Sequence, residues 1–106
     1  MDFQDIHKEA QEAAIVAQDA YLKQYGERAY CGFAWVNVYV DRTNSKEAKE
    51  LLKNGFRKDY RPKCLCLWAP GVYRGQSMDV LEQGAYAYAE VLKKYGFRAY
   101  AGSRAD

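Results

Sequence analysis

The stretch Tyr30-Cys31-Gly32-Phe33-Ala34-Trp35-Val36-Asn37-Val38-Tyr39-Val40-Asp41 alternates small aliphatic side chains with large aromatic or polar ones. Successive side chains on a strand point to opposite faces. Ala34, Val36, Val38 and Val40 therefore share one face, and Phe33, Trp35, Asn37 and Tyr39 share the other. The aliphatic face asks for a helix above it. The aromatic face has to be accounted for separately.

Upstream, apolar residues fall three to four apart from Asp2 to Tyr25, at Phe3, Ile6, Ala10, Ala13, Ala17, Ala20 and Tyr21, which predicts a long amphipathic helix stopped by Gly26. Downstream, Asn44 and Glu47 read as a capping box for a short helix carrying Ala48, Leu51 and Leu52 and ended by Gly55. Lys63 to Ala69 is a second strand, terminated by Pro70-Gly71. Asp79 and Glu82 read as another capping box, opening a helix through Val80, Gly84, Ala87, Val91 and Tyr95. Gly96 closes that helix, and Phe97 to Ser103 forms a third strand. The order is α-β-α-β-α-β in one domain over residues 1–106. Each strand-to-strand connection holds a helix, which predicts a three-stranded mixed or parallel sheet. Right-handed crossovers would put the helices on one face, giving a two-layer α/β sandwich, with an α+β arrangement as the alternative.

The segment from Leu22 to Gly32 echoes that from Leu92 to Gly102 at most positions. Two readings stay open: a shared helix end, Gly cap and strand start, or a duplicated αβ unit. The echo aligns Tyr30 with Tyr100, although alternation puts them on opposite faces. Either Gly32 carries a bulge or the echo has no structural meaning.

In the second strand, Leu65, Leu67 and Ala69 oppose Cys64, Cys66 and Trp68. In the third, Phe97, Ala99 and Ala101 oppose Arg98, Tyr100, Gly102 and Arg104. With the aliphatic sets under helices, the second face carries Phe33, Trp35, Asn37, Tyr39, Trp68, Arg98 and Tyr100. Such a patch marks a homodimer interface, a ligand surface or ordinary core. Aromatics with Arg and Asn on a sheet can stack bases and hydrogen-bond their edges.

Hydrophobic residues make up 49% of the chain and charged residues 28%, a globular composition. Sixteen basic residues against 14 acidic ones leave a net charge of +2, which disfavours a groove for long polyanions. Ten Tyr against four Phe and two Trp suit wet or stacking surfaces. Met1 leads directly into a polar, charged stretch, so no secretory leader is read there. Cys31, Cys64 and Cys66 then fit free thiols in a cytoplasmic setting, with no membrane partner.

Catalytic chemistry finds little support. His7, the sole histidine, reads as solvent-facing on the first helix, and Cys64 and Cys66 lack the turn geometry of a zinc knuckle. There is no phosphate-binding loop, nucleophile elbow or dinucleotide fingerprint. The expectation is a binding protein, not an enzyme, with no metal or cofactor. One further candidate is the loop from Pro70 to Met78, where Tyr73, Arg74, Gln76 and Ser77 precede a helix start that favours anions. Asp79 competes for those donors.

The runs Cys31-Gly32-Phe33-Ala34-Trp35-Val36, Gln76-Ser77-Met78-Asp79 and Ala101-Gly102-Ser103-Arg104-Ala105-Asp106 resemble a group of short uncharacterised proteins encoded by tailed bacteriophages. The resemblance implies a phage accessory protein made in the host cytoplasm, of a size class rich in counter-defence factors. The function expected is sequestration of a small nucleotide-like host defence signal by a homo-oligomeric protein. Trp35, Tyr39, Trp68 and Tyr100 would stack the ligand, Asn37 would hydrogen-bond it, and Arg74, Arg98 and Arg104 would meet its phosphates. Inhibition of a host defence protein through the same face is the alternative, and single-stranded nucleic-acid binding a third reading.

Overall fold

Val36 and Val38 are fully buried, and the chain is organised around them. The computed structural model describes residues 2–27, 31–73, 75 and 77–105. In chain order its elements are α1 (Phe3–Tyr25), β1 (Gly32–Tyr39), α2 (Lys46–Lys53), β2 (Arg57–Lys58), β3 (Cys64–Trp68), α3 (Met78–Lys94) and β4 (Arg98–Ala105). The fold is α+β, with a four-stranded sheet in the order β2-β3-β1-β4.

Every strand pairing is antiparallel, which corrects the expected three-stranded parallel or mixed sheet. The expected crossover into the Lys63–Ala69 strand ends instead on β2, which turns back into β3, and neither helical crossover joins neighbouring strands. The chain leaves β1, passes through α2 and returns as β2, running in the same direction as β1 with β3 between them. It then leaves β3, passes through α3 and returns as β4, with β1 between. Two interlocked split β-α-β units result, and interleaving them makes each adjacent pair antiparallel. The reading missed β2 because two exposed residues, Arg57 and Lys58, carry no alternating pattern.

The helix-facing sets match the alternation. Ala34, Val36, Val38, Leu65 and Ala99 are all buried, and α3 lies against β1 and β4. Each fully buried Val or Leu side chain among them contributes roughly 1.5–3 kcal/mol. Helix α1 packs along α3 through Ala10 and Ala14, both fully buried, whose small side chains permit close approach. Its first turn sends Phe3 edge-on into Phe56 and Phe97. Gly26 ends the helix at φ 71°, a left-handed conformation that costs Gly little, and its N–H reaches the Leu22 carbonyl at 2.8 Å.

Three local readings change. The N-cap of α2 is Ser45, whose Oγ accepts from the Ala48 N–H at 3.1 Å; the box read from Asn44 sits one residue early. The N-cap of α3 is Ser77, which puts Asp79 inside the helix, and Glu82 instead accepts a hydrogen bond from the Ser103 hydroxyl at 2.7 Å. His7 does not face solvent. It is half-buried, with Nδ1 2.7 Å from the hydroxyl of the fully buried Tyr88. The β1–β4 register runs without a bulge from Gly32 to Tyr39. Gly26 and Gly96 both take positive φ, so the echo holds at the helix ends, while Tyr30 lies outside the described residues. No described helix is long and apolar enough to cross a membrane.

Candidate functional site

Antiparallel register turns the alternation of β1 into a shared surface. Trp35 pairs with Trp68 on one side and Gly102 on the other; Asn37 pairs with Cys66 and Tyr100; Tyr39 pairs with Cys64 and Arg98. All of these side chains leave the sheet on the face away from α1 and α3. Trp35, Asn37, Tyr39, Cys66, Trp68, Tyr100 and Gly102 help to line one open cleft of about 660 Å³.

The cleft is stepped. At one end Trp35 and Trp68 form an aromatic pair with ring centroids 4.7 Å apart and planes 34° apart. Phe33 meets Trp68 edge-on just beyond them. Trp35 can lie low because Gly102, its partner on β4, offers no side chain: a Cβ there would stand 2.7 Å from the indole nitrogen. Trp68 stays 48% exposed. In the middle the floor sinks to Asn37, only 6% exposed, whose Oδ1 lies 3.8 Å from the Cys64 thiol. At the far end Tyr39 and Tyr100 meet edge to face at 6.0 Å, with Tyr100 52% exposed.

The charges differ between the ends. Arg104 sits 5.7 Å over the Phe33 ring and has no ion-pair partner among the described residues. Arg61 lies over Tyr39, but its Nε is 2.7 Å from Asp59 Oδ2. That contact holds the Asp59 carboxyl below its ordinary range and Arg61 above its own. The Arg61 N–H also reaches the same carboxylate oxygen at 3.3 Å, an Asx-type turn that shapes the β2–β3 hairpin.

Burial pushes the Cys64 and Cys66 thiols up, against smaller opposing pulls that include Arg61 and hydrogen bonds from Tyr39 and Trp68 respectively. They remain thiols at neutral pH and poor nucleophiles, and of the two Cys66 lines the cleft. Among the described residues no group of three His, Cys, Asp or Glu side chains could hold a metal ion.

The structure brings together Trp35, Asn37, Tyr39, Trp68, Tyr100 and Arg104. Arg98 does not line the cleft; it pairs with Asp41 at 2.9 Å on the exposed rim. Arg74 and Gln76 lie outside the described residues. Sequence reasoning missed Asp59, Tyr60 and Arg61, which wall the far end. Their signal was the Asp-x-Arg-Pro turn ahead of β3, legible only once β2 is known to make a hairpin there. Compared with known families and proteins, the chain matches no family model, no curated protein and no solved structure.

Proposed function

We propose that this chain binds a small nucleotide-like ligand in the cleft on the open face of its sheet and thereby withholds it from a host defence system. The observation that carries the reading is the Trp35–Trp68 pair beside Arg104, a guanidinium with no ion-pair partner among the described residues. A base has a flat face for the indoles, and its phosphate has a partner in Arg104. Stacking on an aromatic side chain contributes roughly 1–3 kcal/mol per base. The net charge of +2 favours a compact ligand over a long polyanion.

The site is read as one that binds without reacting, and Cys66, the thiol that lines the cleft, is held protonated by burial. The wider role, accessory protein in the cytoplasm of an infected bacterium, is supported only by the resemblance to short tailed-phage proteins. Direct evidence would come from mass spectrometry of small molecules retained by protein purified from a bacterial lysate. Titration of tryptophan fluorescence with the nucleotides so identified would follow. Failure of every nucleotide to bind would remove the reading.

A second reading, a protein partner or a second copy on the same face, is favoured by apolar surface beyond the cleft. Phe33 is 39% exposed and lies outside the cleft lining. Light scattering across a concentration series separates the cases, because self-association through this face would compete with the ligand.

A further inference from the structure

The open face carries two aromatic platforms. Trp35 and Trp68 make the first, Tyr39 and Tyr100 the second. Gly102 is the direct partner of Trp35, so Tyr100, two residues away on β4, is its diagonal neighbour. Diagonal neighbours on adjacent strands stand about 7–8 Å apart. That spacing exceeds the ~3.4 Å rise of stacked nucleotides and suits two successive bases of an extended strand. Asn37 lies directly opposite Tyr100 and beside the Trp pair along β1. Its carboxamide oxygen faces the Cys64 thiol, while its nitrogen has no hydrogen-bond partner among the described residues. From one end to the other, the cleft runs cation, aromatic pair, amide donor, aromatic pair, and then the mutually neutralised Arg61 and Asp59.

A mononucleotide matches half of that sequence. With its phosphate at Arg104 and its base on Trp35 and Trp68, it leaves Asn37 and Tyr100 bare. Resting on the nucleotide reading above, we infer that the cleft takes a 5′-phosphorylated dinucleotide. The terminal phosphate meets Arg104, the first base stacks on Trp35 and Trp68, the phosphodiester lies over the Asn37 amide, and the second base stacks on Tyr100. The volume agrees: about 660 Å³ falls in the upper half of the roughly 300–1,000 Å³ usual for small-ligand pockets.

The test is calorimetric titration of the parent chain with 5′-mononucleotides, with 5′-phosphorylated dinucleotides, and with the same dinucleotides lacking the 5′-phosphate. At least one phosphorylated dinucleotide should bind about tenfold or more tightly than either component mononucleotide. Tyr100→Ala should weaken the dinucleotide about tenfold and leave mononucleotide affinity within about twofold. Removing the 5′-phosphate should weaken binding to the parent and make no difference to Arg104→Ala. Circular dichroism checks folding, and Tyr100→Leu, which keeps an apolar side chain but no ring, serves as the second variant. If mononucleotides bind as tightly as dinucleotides, or if neither Tyr100 variant discriminates between them, the dinucleotide assignment is overturned while nucleotide binding stands. If mononucleotides and dinucleotides alike fail to bind, both are overturned.

Discussion

The Trp35 indole occupies the space that a side chain on Gly102 would fill. The two are directly paired across β1 and β4, and a Cβ on Gly102 would stand 2.7 Å from Trp35 Nε1 and 2.8 Å from Cε2. The indole is rigid, so it cannot give way by bending and has to change rotamer. Gly102→Ala should therefore unseat Trp35, break its stacking on Trp68 and cost about 1–3 kcal/mol of stability, the usual range for overpacking. The coupled-indole signal in circular dichroism should weaken with it. An unchanged signal at unchanged stability would show that the close approach does not order the tryptophans.

A second glycine contact lies between α1 and α3. Gln18 is only 3% exposed, its Nε2 has no hydrogen-bond partner among the described residues, and a Cβ on Gly84 would fall 2.3 Å from that nitrogen. Gly inside a helix ordinarily costs about 0.5–1 kcal/mol relative to Ala. The two effects predict a change of sign. Gly84→Ala alone should destabilise the chain, whereas in a Gln18→Ala background the same substitution should stabilise it by up to about 1 kcal/mol. Chemical denaturation of the four proteins reads the coupling, and simple additivity would count against the clash.

Acid should weaken the fold in two steps. Burial holds His7 below its ordinary value of 6.5, so the unfolded chain takes up a proton at higher pH than the folded one. Stability is then full above that value and declines as the pH falls through it toward the lower folded-state pKa. Glu9 acts further down. The Lys94 hydrogen bond, followed by that from Tyr95, holds its carboxyl below 4.5, and its contribution is lost only in that more acid range. Urea unfolding from about pH 8 to about pH 5 should show a decline that His7→Gln flattens. A parent and variant with the same slope would place the sensitivity elsewhere.

The parts of the molecule legible in the sequence are those set by one period or one residue's backbone. Alternation alone assigned Val36, Leu65 and Ala99 to the helix side and Trp35, Trp68 and Tyr100 to the other, and the register agrees. Gly26 and Gly96 marked helix ends because positive φ suits them. Strand order was not legible. A helix between two strands permits a direct parallel crossover or a split one, and the choice rests on β2, two residues too short to carry a pattern. The same omission hid Asp59 and Arg61. A reading that sees no hairpin has no reason to fold that turn over Tyr39. Arg98 and Arg104 share a face, and alternation cannot show that Asp41 stands within reach of one and not the other.

That difference between the two arginines supplies the sharpest site prediction. Arg104 lines the cleft with no ion-pair partner among the described residues, whereas Arg98 sits on the rim with its charge answered by Asp41. The Arg98–Asp41 pair is exposed, and surface pairs of this kind contribute little to stability. Arg98→Ala should therefore leave both the fold and nucleotide affinity within about twofold of the parent. Arg104→Ala should keep the fold but lose about tenfold or more in affinity, since a charge-assisted hydrogen bond is worth about 1.5–3 kcal/mol. Trp68→Ala should lose a comparable factor through stacking. Leu65→Ala tests the opposite face of the same strand: it removes a fully buried side chain and should lower stability by about 2–5 kcal/mol. Any affinity change in that variant is to be read after correction for the folded fraction. Fluorescence titration with one nucleotide across all four variants makes the comparison. Should Arg98→Ala lose as much as Arg104→Ala, the phosphate lies toward the Asp41 rim, and the orientation drawn here is reversed.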